Sequence, residues 1–121
     1  MEQRQCSLCS LEVEETQEHA IFQCPHNNVA GLAILGYVQK IIPHISEEEL
    51  IHLDLGDVIS DDEKLATINI VSIGFKYIWE RRLEKKRIEL YAIRAEIEAS
   101  IELLRKTRFA VVGEYMITLI N

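Results

Sequence analysis

The sequence predicts an all-α fold: a small N-terminal knuckle built around cysteines, followed by a helical domain with one long helix. Three observations carry this reading. All three cysteines, Cys6, Cys9 and Cys24, fall in the first fifth of the chain. From Asn27 onward, apolar residues recur at helical spacing between capping and breaking residues. From Asp61 to about Arg105 there is no proline and one glycine, Gly74, so nothing there interrupts a helix.

The chain has 121 residues, which suits one domain. With 48% apolar and 27% charged residues it has the composition of a folded chain with its own core. The longest nearly unbroken apolar run, residues 29–38, is too short to cross a bilayer. Residues 1–6 form no apolar signal region. The expectation is therefore an intracellular protein, cytoplasmic or nuclear, with no membrane partner. The net charge of −7 argues against a generic nucleic-acid coat, which needs excess positive charge. That sum hides a split. Residues 1–63 hold 13 acids and only Arg4 and Lys40 as basic residues, whereas residues 64–121 hold seven acids and 11 basic residues. Either the halves attract one another or the basic half meets a partner.

The cysteines come with one histidine among them, His19, in the pattern Cys6-x2-Cys9-x9-His19-x4-Cys24. Two thiolates with two residues between them hold one ion from a tight knuckle, and a Cys/His pair further on completes four ligands. Three cysteines fit a closed disulfide framework poorly. Sulfur with one imidazole favours Zn²⁺ in a reducing compartment. Four protein ligands close the site, so the expected cofactor is one structural zinc held by Cys6, Cys9, His19 and Cys24. His26 is a rival fourth ligand, two residues beyond Cys24. Thr16 is placed to cap a short helix from Gln17, putting His19 in its first turn, and Pro25 discourages continuation past Cys24. Glu12, Glu14, Glu15 and Glu18 read as solvated neighbours, and Leu11, Ile21 and Phe22 as a small lid. A catalytic zinc needs an open position. The order of these residues does not match the H-x-E then P-C-x-x-C of the zinc deaminases, and HExxH is absent.

The string Cys6-Ser-Leu-Cys9, then Glu15-Thr16, then Glu18-His19-Ala20-Ile21-Phe22-Gln23-Cys24-Pro25 resembles the zinc-binding segment of non-LTR retrotransposon reverse transcriptases. In that family a C-x-x-C precedes the signature E-T-x-E-H-x-x-F-x-C-P near the C-terminus of the polyprotein. The close part covers about 20 residues. A weaker likeness continues around Phe75, Trp79 and Arg82, and again from Lys106 to Phe109. The resemblance implies the same four zinc ligands and a region that follows the polymerase and helps bind template RNA or target DNA. It brings no catalytic residues, since the polymerase's paired aspartates have no counterpart here. The chain then reads as a C-terminal piece of such an open reading frame, or as a small gene derived from one.

Residues 1–27 are expected to form the knuckle and residues 28–121 a helical domain packed with it as one unit. Asn27 or Asn28 caps a first helix reaching about Ile42 and ended by Pro43; Val29, Leu32, Ala33, Leu35, Gly36, Val38 and Ile41 make it apolar almost all round, so burial is expected on every side. Gly31 and Gly36 would permit close approach. Ser46 with Glu49 and Ser60 with Glu63 are capping boxes, the first opening a short helix closed by Gly56. A continuous helix over residues 61–105 would be about 67 Å long. Its stripe runs Leu65, Ile68, Ser72, Phe75 and Trp79, lapses through residues 82–87, and resumes at Leu90, Ile93, Ile97, Ile101 and Leu104. Nothing at residues 81–87 is a turn former, so a continuous helix is favoured over a hairpin, and a helix that long implies a homodimer. In the tail, Val112, Tyr115, Met116 and Leu119 recur at helical spacing and predict a core helix.

The function these readings favour is a non-enzymatic, zinc-stabilised helical module for protein interaction and self-association, with the upstream reverse transcriptase region or another protein as a further partner. The alternative is an RNA- or DNA-binding module in which Arg81, Arg82, Lys85, Lys86 and Arg87 contact phosphates. Trp79 and Phe75 are not interleaved with basic residues as a base-stacking platform would be. No free nucleophile or acid–base constellation points to an enzyme.

Overall fold

The computed structural model describes residues 6, 8, 14, 16–56 and 60–120. Among these residues the chain forms one π-helix, His19–Gln23, five α-helices and no strand. The α-helices are α1 (Asn28–Gln39), α2 (Glu47–Ile51), α3 (Asp61–Leu83), α4 (Leu90–Arg105) and α5 (Ala110–Ile120). The all-α class is therefore as the sequence predicts.

Serine caps start two of these helices. The Ser46 and Ser60 hydroxyls accept the backbone N–H of Glu49 and Glu63, and each glutamate carboxylate takes the serine N–H in return, all between 3.0 and 3.2 Å. The chain leaves α2 through Leu53, two residues past its end and in the left-handed region at φ 53°, rather than at Gly56. The N–H groups of Leu53 and Asp54 close back on the carbonyls of Leu50 and Glu49, which satisfies the last turn without a glycine.

α1 packs on α3 and on the π-helix, while α3, α4 and α5 pack on one another. Ile34, Ile70, Ile78, Ile93, Ile97, Ile101 and Met116 are fully buried where these helices meet. Each such side chain contributes about 1.5–3 kcal/mol by leaving water. The tail helix is part of this core, with Val112, Met116 and Leu119 buried as expected. Lys40 Nζ donates to the Leu119 carbonyl at 2.5 Å and so ties the end of α1 to the end of α5. Among the described residues no helix is long and apolar enough to cross a membrane.

Three expectations are corrected. The helix expected over residues 61–105 breaks at residues 84–89 and folds back as the α3–α4 hairpin. Lys85 takes a left-handed conformation, φ 54°, and the N–H groups of Lys85 and Lys86 bond back to the carbonyls of Arg82 and Arg81. Tertiary bonds hold this turn. The Tyr77 hydroxyl accepts the Glu89 N–H at 3.2 Å, and His26 Nε2 donates to the Lys86 carbonyl at 3.2 Å. Further along the hairpin, Ser100 Oγ donates to Asn69 Oδ1 at 2.5 Å. The length argument for a homodimer goes with the continuous helix.

The buried stripe of α3 is also not the expected one. It runs Ala66, Thr67, Ile70, Val71, Gly74, Phe75, Ile78 and Arg82, while Leu65, Ile68 and Ser72 are exposed and Trp79 is half-buried. α3 is apolar on several sides, so periodicity alone does not select a face. Small residues do select it, because they let α1 approach closely. Finally, α1 is buried on one face only. Ala30, Gly31, Ile34, Leu35 and Val38 are inside, whereas Val29 and Leu32 are 59% and 47% exposed.

Candidate metal centre

The centre is built by a turn that a standard α-helix would not make. Thr16 opens it as expected: its hydroxyl accepts the His19 N–H at 3.0 Å and its carbonyl accepts the Ala20 N–H at 2.9 Å. The next turn is wider. The Cys24 N–H reaches the His19 carbonyl at 2.7 Å, an i to i+5 closure. That closure stacks Cys24 over His19, so an imidazole and a thiol five residues apart can share one site. Asn27 and Asn28 then bond through their N–H groups to the Cys24 carbonyl at 3.0 and 2.8 Å, which turns the chain into α1.

Cys6 comes to the same place from the N-terminal segment. The ligand atoms of Cys6, His19 and Cys24 all lie within 4.8 Å of one another, and all three residues are buried. These three could hold a metal ion. The Sγ atoms of Cys6 and Cys24 are 3.7 Å apart, far beyond the roughly 2.05 Å of a disulfide, so the two are not bonded to each other. Two sulfurs and an imidazole nitrogen are a donor set for soft and borderline ions rather than for calcium or magnesium. The fourth expected ligand, Cys9, lies outside the described residues. So do Leu11, Glu12 and Glu15. His26 is not in the cluster, since its ring is engaged with Lys86. Glu14 and Glu18 are exposed, as solvated neighbours should be.

Ile21 and Phe22 do more than cover the site. Both belong to the main hydrophobic core, and Phe22 meets Phe75 edge to face at 6.4 Å between ring centroids. The turn that carries His19 and Cys24 is thereby anchored on α3. Gly31 of α1 lies directly against the Ile21 backbone, which leaves no room for a side chain there.

Arg82 arrives from the far side. It is 4% exposed and donates from one terminal nitrogen to Cys6 Sγ at 3.4 Å and from the other to Asn27 Oδ1 at 2.6 Å. Its guanidinium also lies 5.8 Å from the Trp79 ring centre. The Asn27 amide in turn donates to the Ala20 carbonyl inside the π-helix. By sequence Asn27 reads as a helix cap and Arg82 as one of a run of surface bases. Asn27 does stand at the N-cap of α1, but its side chain makes no cap bond, and Arg82 presents no face to solvent. One signal was available, because Arg82 continues the spacing of Phe75 and Ile78 along the buried stripe of α3.

The other four bases of that run surround the α3–α4 turn. Arg81 is half-buried, and the Tyr77 hydroxyl that accepts its Nε holds its pKa above the usual arginine value. Lys85, Lys86 and Arg87 are exposed. Lys86 pairs with Glu84 at 2.9 Å, and that hydrogen bond pulls the Glu84 carboxyl below the usual carboxylate range. Arg87 lies 3.6 Å from Glu89. A shallow cleft beside this turn is lined by His26, Asn28, Val29, Arg87, Leu90 and Tyr91, among others. Comparison with protein-family models, with curated proteins and with solved structures gives no match.

Proposed function

We propose that the chain is a non-enzymatic helical interaction module stabilised by one structural Zn²⁺, held by Cys6, Cys9, His19 and Cys24. The observation that carries this reading is the 3.7 Å separation of the Cys6 and Cys24 sulfurs. Two thiolates on a tetrahedral zinc, each about 2.3 Å from the ion, stand about 3.8 Å apart. Burial supports a structural rather than a catalytic ion: Cys6, His19 and Cys24 are 6%, 3% and 0% exposed, which leaves little access for a substrate. Bound there, the ion would supply cross-linking, joining the N-terminal segment to the turn that rests on α1 and α3. Metal analysis of protein purified without chelator is expected to give one equivalent of zinc, lost in Cys6→Ser and Cys9→Ser together with the order of the knuckle. Metal-free folded protein would remove the reading.

The resemblance of residues 6–25 to the zinc segment of non-LTR retrotransposon reverse transcriptases supports an origin in the C-terminal region of such an open reading frame. Self-association is supported by apolar side chains left in water, among them Val29, Leu32, Leu83, Leu90 and Tyr91. Light scattering after gel filtration is expected to give twice the monomer mass, and a monomer at high concentration would remove that part. A polymerase encoded upstream in the same frame would identify the natural partner as the rest of that polypeptide.

A second reading, binding of RNA or DNA, is favoured by one observation. Lys85, Lys86 and Arg87 face solvent beside a cleft, and among the described residues Lys86 and Arg87 pair locally, with Glu84 and Glu89, not with the acidic starts of α2 and α3. In this reading Arg81, Lys85, Lys86 and Arg87 contact phosphates. Affinity then falls steeply with added salt. Blank shift assays with both RNA and DNA at low salt would end it.

A further inference from the structure

We infer that Arg82 is a positioning residue of the metal centre, holding the metal-bound thiolate of Cys6 and the His19–Cys24 turn in register from α3. The inference rests on the zinc reading above and extends it to the residue that supports the ligands. Arg82 sits 76 residues from Cys6 in sequence, yet its guanidinium is buried against the Cys6 sulfur at 3.4 Å. A neutral thiol is a weak acceptor, and a poor reason to bury a guanidinium. A thiolate is a charged acceptor, and a hydrogen bond between two ionised groups is about twice as strong as a neutral one. A zinc ion with three thiolates and one neutral imidazole carries one net negative charge, which a guanidinium at hydrogen-bond distance offsets.

The second arm of the fork gives the contact direction. Through Asn27 it reaches the Ala20 carbonyl, which lies between His19 and Cys24 in the π-helix. One planar group thus spans both sides of the site: Cys6 on one amino group, and the turn bearing the other two ligands on the other. Lysine offers no such fork. The Trp79 ring on the neighbouring turn of α3 confines the guanidinium further.

The test compares wild-type protein with Arg82→Met and with Arg81→Met as a control outside the cluster. Zinc affinity is measured by competition with a chromophoric chelator, and the sulfur-to-cobalt charge-transfer band is recorded on Co²⁺-loaded protein. Arg82→Met is expected to weaken zinc binding about 10- to 100-fold, the usual range for losing an outer-shell partner. Its charge-transfer band is expected to move to longer wavelength, because a thiolate without its N–H donor is easier to oxidise. Arg81→Met should leave both readouts unchanged. Wild-type protein that binds neither zinc nor cobalt would sink the zinc reading itself. Wild-type protein that binds one zinc, with Arg82→Met equal to it in affinity and spectrum, would overturn the role of Arg82 alone. If Arg82→Met does not fold, Arg82→Lys, which keeps the charge but cannot bridge Cys6 and Asn27 with one planar group, is expected to weaken zinc binding in the same direction but by less, and an affinity equal to wild type would overturn the inference. If neither variant folds, wild-type protein loaded with spin-active cadmium decides. Scalar coupling between the metal and an Arg82 guanidinium proton is expected, and a resolved proton without coupling overturns the inference.

Discussion

A Cβ atom built on Gly31 would stand 1.9 Å from the carbonyl oxygen of Ile21. The obstacle is backbone, so no rotamer change relieves it. Close contact between α1 and the π-helix therefore depends on this one missing side chain. Gly31→Ala is expected to destabilise the protein by at least the usual cost of overpacking, about 1–3 kcal/mol. Zinc affinity should fall with it, because the displaced turn carries His19 and Cys24. Gly36, on the exposed side of α1 with nothing within 4 Å, is the control. Gly36→Ala should stabilise the helix by about 0.5–1 kcal/mol. Urea denaturation of the three metal-loaded proteins checks the pair, and equal midpoints for wild type and Gly31→Ala would contradict the contact.

α1 meets α3 in a second close approach. A Cβ on Gly74 would lie 2.5 Å from Ile34 Cδ1 and 2.8 Å from its Cγ1. Here the obstacle is the tip of a side chain, so the cost should be smaller and should depend on that tip. Gly74→Ala is expected to destabilise by about 1–2 kcal/mol, within the overpacking range. Ile34→Val removes Cδ1 and alone should cost about 0.5–1.5 kcal/mol. Combined, the two should cost less than their sum, because each makes room for the other. Strict additivity in the denaturation cycle would mean that α1 and α3 do not touch at these residues.

The docking of α5 has a signature in alkali. Burial against the bundle pushes the Tyr115 hydroxyl above the ordinary tyrosine value, and the nearby Glu63 carboxylate adds to the shift. A raised folded-state pKa means that the fold favours the neutral phenol. The stability this gives is fully present below the unfolded value, about pH 10. It is lost as pH rises through the folded value. Wild-type protein should therefore lose stability above about pH 10 more steeply than Tyr115→Phe, which has no phenol to ionise. Denaturation midpoints taken across that window check it. Parallel profiles would mean that Tyr115 is as wet in the fold as in the unfolded chain.

How much of this was legible depends on whether the determinant was local. The caps at Thr16, Ser46 and Ser60 and the tail stripe of Val112, Met116 and Leu119 are read from neighbours in sequence, and each is found. Cys6, His19 and Cys24 were legible because ligand spacing is itself a local pattern. The face of α3 was not legible, since several sides are apolar and the choice is made by where α1 can come close, at Gly74. Arg82 was misplaced for a related reason: within residues 81–87 it looks like one base among five, and only the fold puts Cys6 and Asn27 beside it. The break after Leu83 was hidden because its makers, Tyr77 and His26, act across the fold on residues with no turn propensity of their own.

The break itself can be tested at Lys85. A lysine at φ 54° occupies a conformation that costs a non-glycine residue roughly 1–2 kcal/mol. Glycine adopts it freely, though it also gives the unfolded chain more entropy. At the residue just past a helix end the first effect outweighs the second, so Lys85→Gly should stabilise the hairpin by a few tenths to about 1 kcal/mol. Lys85→Val, β-branched, should destabilise it by more than the lysine's own strain. The two structures imply opposite signs. If residues 61–105 were one continuous helix, Lys85 would be interior, and glycine there would cost about 0.8–1 kcal/mol relative to alanine. Melting curves of Lys85→Gly against Lys85→Ala, on zinc-loaded protein, decide between them. A glycine variant less stable than the alanine variant would restore the continuous helix, and with it the length argument for a dimer.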